Sequence, residues 1–228
     1  MPRSMELATV FEARRVFGAD MLGVEEVSAA LGFDVLASLS AAERERIDRL
    51  SFDTQTLMRA ADDGMMLVLR VARNQTAAPL TILELAGALP RATELATAYR
   101  GSWFAAEPFA TSEACRPGWA LVDKQPFAAS RNRPYGEQNT ALHERARATG
   151  LSLRRRSAIE VVYDTLLYAE VRRERLLESE WDWSSSTTSD GGLVTVGEFD
   201  DQGLRLQGYS KAVRFATLGV CATLESQE

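Results

Sequence analysis

Two residue types that often carry protein chemistry are scarce in this chain of 228 residues: there is one histidine, His143, and there are two cysteines, Cys115 and Cys221. Zinc needs three or four ligands at suitable spacing, and the chain holds no CxxC or HExxH run. A Ser-His-Asp relay would have to use His143, which lies in the polar run ALHERARA, and no GxSxG elbow presents a serine to it. Neither GxGxxG nor GxxxxGK[ST] follows a strand to hold phosphate. The two cysteines permit at most one disulfide and read as buried thiols, and His143 reads as a surface residue. Asp190, Glu198, Asp200 and Asp201 fall in a turn-rich tail, where acids form turns and stay solvated. No catalytic residue, metal or cofactor is expected from this pattern.

Charge narrows the partners. The chain has 26 basic and 32 acidic residues, a net charge of −6, which repels a polyanion unless the basic residues gather on one face. The basic clusters are Arg154-Arg155-Arg156 and Arg172-Arg173 with Arg175, and both read as solvated faces, the second suited to the last turns of a helix. Residues 1–53 hold 6 basic and 10 acidic side chains, so the short helix at 22–33, although it resembles the first helix of a helix-turn-helix module, offers poor footing for DNA. Nucleic acid is not expected as a partner; a helix-turn-helix protein remains a minor alternative. No apolar run approaches the ~20 residues that cross a bilayer, so no membrane partner is expected. The N-terminus lacks the pattern of a secretory signal, and synthesis in the cytosol is expected.

The elements that must position any site are mostly helical at first. Leu7, Val10, Phe11 and Phe17 are near helical spacing over 6–17, 22–33 forms a second helix between glycines, and Ser40 with Glu43 caps a third. After the turn signal at 62–64, MMLVLRV reads as a buried strand, and Thr81 with Glu84 opens a helix that stops at Pro90. From 99 to 136, GWALV is the one clear strand; Trp103, Phe104, Phe109, Trp119 and Phe127 pin the remaining loop to a core, or in a sharper reading form a platform for sugar rings. A polar helix is expected over 138–148. The strongest helix starts at Ser157, capped by Glu160, with Ile159, Val162, Tyr163, Leu166 and Ala169 on one stripe. Short strands follow in GLVTVGEF, GLRLQG and TLGVCATL, forming a small antiparallel sheet packed on that helix. Residues 1–60 read as a helical segment packed on a main domain of 61–228, because no flexible linker separates them.

The tail from Val161 to Val220, with its Trp-Asp-Trp, its Ser/Thr run through Ser189-Asp190-Gly191, its VGEF and GLRL strands and its closing LGV, resembles a group of largely uncharacterised prokaryotic proteins. FGADMLGVEEVSAALGFD, LVLRVAR, PLTILEL and PGWALVDK extend that likeness over most of the chain. The tail is also similar to the C-type-lectin-fold variable proteins of diversity-generating retroelements. That resemblance implies an α+β chain with a C-type-lectin-like domain at 61–228 and a display region at 181–228. It also implies a non-enzymatic role, the binding of a protein or glycan. Trp181 and Trp183 would anchor the loops, and Ser/Thr side chains would fix them. Gly197, Phe199, Gly203, Leu204, Leu206, Leu218, Gly219 and Val220 would be scaffold. Asp200, Asp201, Arg205, Gly208, Tyr209, Ser210, Arg214 and Phe215 would face the ligand. Diversification of Asn-type codons cannot yield Glu, Gln or Lys, so Glu198, Gln202, Gln207 and Lys211 are either fixed or mark an undiversified relative. A lectin-fold enzyme of the formylglycine-generating or sulfoxide-synthase type is the alternative, and Cys115, Cys221 and His143 are too scattered to match it.

Overall fold

The computed structural model describes residues 7–37, 39–89 and 103–225. Among them are eight α-helices and nine strands in two sheets, an α+β architecture. Local signals place the early helices. Helix α1 (Val10–Phe17) opens on a Thr9–Glu12 capping box, α2 (Val24–Leu31) runs between Gly23 and Gly32, and α3 (Ala41–Asp48) opens on Ser40 and Glu43. Sequence reasoning passed over α4 (Thr54–Asp62), whose N-cap Asp53 accepts a hydrogen bond from the Thr56 amide at 2.6 Å. The apolar residues that suggested α1 do not all pack: Ala13 and Phe17 are buried, whereas Phe11 is 71% exposed. The expected stop at Pro90 and the first part of the 99–136 stretch lie outside the described residues.

The larger sheet has the order β1 (Met21–Leu22), β2 (Met65–Arg70), β3 (Gly118–Asp123), β9 (Ala222–Glu225), β4 (Arg154–Arg155). β1 runs parallel to β2, and the other pairs are antiparallel. β1 lies in the first 60 residues, so this sheet draws on both sides of that position. The smaller sheet has the order β7 (Gly203–Tyr209), β6 (Leu193–Asp200), β5 (Trp181–Thr187), β8 (Leu218–Gly219), with β8 parallel to β5. TLGVCATL, read from sequence as one strand, is thus divided between two sheets. The reason lies in its middle: the Val220 amide donates to Ser130 Oγ and the Cys221 amide to Asp182 Oδ1, both at 2.9 Å, so side chains replace the ladder where the chain crosses over. Glycine is required at position 197, because a Cβ there would stand 2.0 Å from the Glu180 carbonyl oxygen.

Between β2 and β5 in chain order lie α5 (Ile82–Ala88), the four-residue α6 (Pro108–Thr111) and α7 (Tyr135–Thr149). Helix α8 (Ala158–Arg172) is the centre of the molecule. It was expected to bury one stripe, but every residue from Ala158 to Ala169 is buried. The helix packs against β2 of one sheet, against β5 and β6 of the other, and against α2, α5 and α6, which leaves no solvent side.

Burial all round forces the charged residues of α8 to find partners, whereas the buried Thr165 hydroxyl has none among the described residues. Asp164 takes Arg70 of β2 through Nε and Nη2 at 3.0 and 2.6 Å, and Arg156 Nη1 at 3.0 Å. Arg156 continues to Asp182 of β5 at 2.8 Å, while Glu160 meets Arg70 at 3.1 Å and Arg154 at 2.6 Å. Arg70, Arg156, Asp164 and Asp182 are at most 1% exposed. This corrects the reading of 154–156 as a solvated face. Arg155 is also buried; it donates to the Trp183 carbonyl at 2.8 Å and lies over the Tyr135 ring at 4.1 Å. The run reads as surface in sequence because its acids come from α8 and β5.

Candidate functional site

The Ser/Thr run is the first determinant of the site. Ser184 Oγ donates to the Val194 carbonyl at 2.7 Å, Ser185 Oγ to the Arg156 carbonyl at 3.2 Å and Ser186 Oγ to Glu113 at 3.0 Å. These bonds hold an irregular stretch of β5 where its register with β6 shifts between Trp183 and Thr187. The chain then turns through 188–192. Thr188 bonds Asp190 through its hydroxyl and the Gly192 carbonyl through its amide. Both Oε atoms of Glu107, just before α6, accept from Ser189, one from the amide and one from the hydroxyl, each at 2.8 Å. That pair ties the turn to a segment 82 residues earlier.

Trp103 completes the wall. Its indole N–H donates to the Leu206 carbonyl on the outer edge of β7 at 3.2 Å, and its ring packs on Phe104 and Phe109 at centroid distances of 5.9 and 5.8 Å. Opposite, the chain leaving β7 passes through Tyr209, set edge-on to Phe215 at 5.4 Å, and bends at Ser210, whose carbonyl accepts the Val213 amide. The Lys211 carbonyl accepts the Tyr135 amide at 3.1 Å, which anchors this bend to α7. Together Trp103, Glu107, residues 188–192 and residues 207–211 line a groove of about 790 Å³. That volume is within the usual range for small-ligand sites.

The electrostatics of the groove are those of fixed acceptors. Hydrogen bonds from the Thr188 hydroxyl and the Gly192 amide hold the Asp190 carboxyl below its ordinary value, so it stays an anion. Tyr209 Oη, the Gln207 amide and the Lys211 ammonium have no partner among the described residues. Gly208 gives the groove its depth: a Cβ there would meet Thr188 Cγ2 at 3.1 Å and Trp103 Cη2 at 3.6 Å.

The eight residues predicted to face a ligand are all exposed or half-buried, but they fall into separate places. Gly208, Tyr209 and Ser210 line the groove. Asp200 and Asp201 are at the other end of β7, about 20 Å from Tyr209 at ~3.3 Å per residue, and Arg205 is in mid-strand, about 10 Å from Gly208. There Arg205 pairs with Glu198 and Asp200 at 2.6 Å each, and Asp201 pairs with Arg175 at 2.7 Å. Arg214 is exposed, and Phe215 packs against the cluster of Trp181, Trp183, Leu193 and Leu218. The proposed scaffold residues, Gly197 to Val220 in the series above, are buried, as are the anchors Trp181 and Trp183. Sequence reasoning missed Glu107, Gln207 and Lys211 as groove residues. Trp103 had a signal, its place in an aromatic loop; Glu107 had none beyond the proline after it.

His143 is exposed on α7, and Cys115 and Cys221 are buried thiols. Burial, reinforced by Asp182, pushes the Cys221 thiol well above its ordinary value. Among the described residues no group of three His, Cys, Asp or Glu is placed to hold a metal, and no helix is long and apolar enough to cross a membrane. Comparison of the chain with protein-family models, with curated proteins and with solved structures returned no match.

Proposed function

We propose that this chain is a non-enzymatic binding protein with a C-type-lectin-like domain, which meets a protein or glycan ligand through its C-terminal face. The observation that carries this is the groove between Trp103 and Tyr209, where an exposed aromatic wall stands beside polar groups that have no intramolecular partner. A concavity of this size that sets an apolar aromatic wall beside polar side chains with no partner among the described residues offers a ligand both ring contact and hydrogen bonds. Its carboxylates, Glu107 and Asp190, brace the 188–192 turn and offer a ligand acceptor oxygens. The lectin-like reading draws on short late strands joined by side-chain-braced turns, and on the resemblance of the tail.

The test is a parallel screen of the immobilised chain against a glycan array and a peptide library. Hits should disappear in Tyr209→Ala and Lys211→Ala and persist in Arg205→Ala. The reverse pattern would move the site to the β6–β7 hairpin and refute the groove. For the retroelement reading, the decisive observation is a neighbouring reverse-transcriptase gene with a near-identical template repeat; its absence removes diversification and leaves the binding reading standing.

A further inference from the structure

We infer that the ligand of this groove is an uncharged saccharide whose ring lies on Trp103, an inference that rests on the binding-protein reading above. Four tryptophans occur in the chain, and their exposures divide sharply: Trp119, Trp181 and Trp183 are 5% exposed or less, and Trp103 is 41% exposed. Trp103 is also fixed. Its N–H is spent on the Leu206 carbonyl and its ring rests on Phe104 and Phe109, so the surface it still shows to the groove is carbon and cannot hydrogen-bond.

A pyranose ring matches such a wall, because it has C–H groups on one face and hydroxyls, each both donor and acceptor, around its rim. The groove supplies partners of both kinds at that rim. Asp190 and Glu107 accept, Lys211 donates, and Gln207, Tyr209 and Ser210 can do either. The charges argue for neutrality: a cation would meet Lys211, and an anion would meet Asp190 and Glu107. An extended peptide adding to the edge of β7 would need the Leu206 carbonyl, which Trp103 already holds.

The experiment uses the full chain and the accessibility of Trp103 to acrylamide quenching, with neutral gluco-, manno-, galacto-, xylo- and N-acetylglucosamine oligosaccharides as probes. At least one should protect the exposed indole saturably. Trp103→Ala should weaken its binding by about tenfold or more, Trp103→Phe should restore part of the loss, and Arg205→Ala should leave affinity within about twofold. Thermal melts of each variant separate lost binding from lost fold. If no oligosaccharide protects Trp103 but a peptide selected from a random library does, the saccharide inference falls and the binding reading stands. If neither protects it, both fall.

Discussion

The interior beneath α8 and the groove at the end of β7 are built from similar side chains and put them to opposite use. Around α8, Arg70, Arg156, Glu160, Asp164 and Asp182 satisfy one another and are closed to solvent. In the groove, Glu107 and Asp190 are bound to the turn they brace, while Tyr209, Gln207 and Lys211 are left open. A saturated polar cluster locks two sheets to one helix; an unsaturated one beside an aromatic wall can receive a ligand. What separates them is the number of hydrogen-bond partners left over, not residue type.

The sharpest way to break this contrast is to remove a partner from each side. Arg156→Ala leaves Asp182 and Asp164 buried and short of a guanidinium, and should cost about 3–5 kcal/mol, a large share of the ~5–15 kcal/mol that holds a domain. Arg205→Ala removes a partly exposed cation from the partly exposed Glu198 and Asp200 and should cost only ~0.2–1 kcal/mol. Urea unfolding of both variants gives the comparison, and similar losses would show that burial does not divide the two clusters.

The tryptophans repeat the comparison in apolar terms. Trp183→Ala, at 0% exposure and edge-on to Tyr135, should cost roughly 3–5 kcal/mol. Trp103→Ala should cost no more than about 2 kcal/mol, since much of its ring is already in water. Calorimetric melts decide it. A Trp103 variant as damaged as the Trp183 variant would make the groove wall part of the core.

Acid offers a finer cut. Burial alone would raise the Glu160 carboxyl, but Arg70 and Arg154 outweigh it and hold the group below the usual carboxylate range. As pH falls through the unfolded glutamate value near ~4.3, the unfolded chain takes up a proton that folded Glu160 refuses, so stability drops with acidification. Asp182 works the other way: burial raises it despite Arg156, the folded chain takes its proton first, and acid favours the fold there. Glu160→Gln should therefore flatten the fall in melting temperature below about pH 5. An unchanged acid limb would assign that fall to other carboxylates.

The smallest effect belongs to the open side of the groove. Lys211→Ala and Gln207→Ala should each shift stability by no more than ~0.5 kcal/mol, as exposed substitutions do. A larger loss by either would mean that the side chain is structural.

Much of the fold was legible because its signals are local. The Ser40, Thr81 and Ser157 caps each act on a residue three positions on, and MMLVLRV and GWALV declare buried strands by composition. The burial of Trp181, Trp183 and the glycine-edged strands could also be read from the tail. The site was less legible because its bonds are long in sequence: Arg70 reaches Asp164 across 94 residues, and Trp103 reaches Leu206 across 103. Nothing within a window around Glu107 says that Ser189 will arrive beside it.

The sequence by itself therefore determined the α+β class and the starts of the helices capped at Ser40, Thr81 and Ser157, since caps and patterns act within a few positions. The tertiary structure alone decided that Arg154–Arg156 turns inward, that the closing segment divides between two sheets, and that only Gly208, Tyr209 and Ser210 of the eight predicted residues line the groove. Each of those outcomes depends on which distant charge, carbonyl or ring occupies the neighbouring space, and that is set when the sheets close on α8.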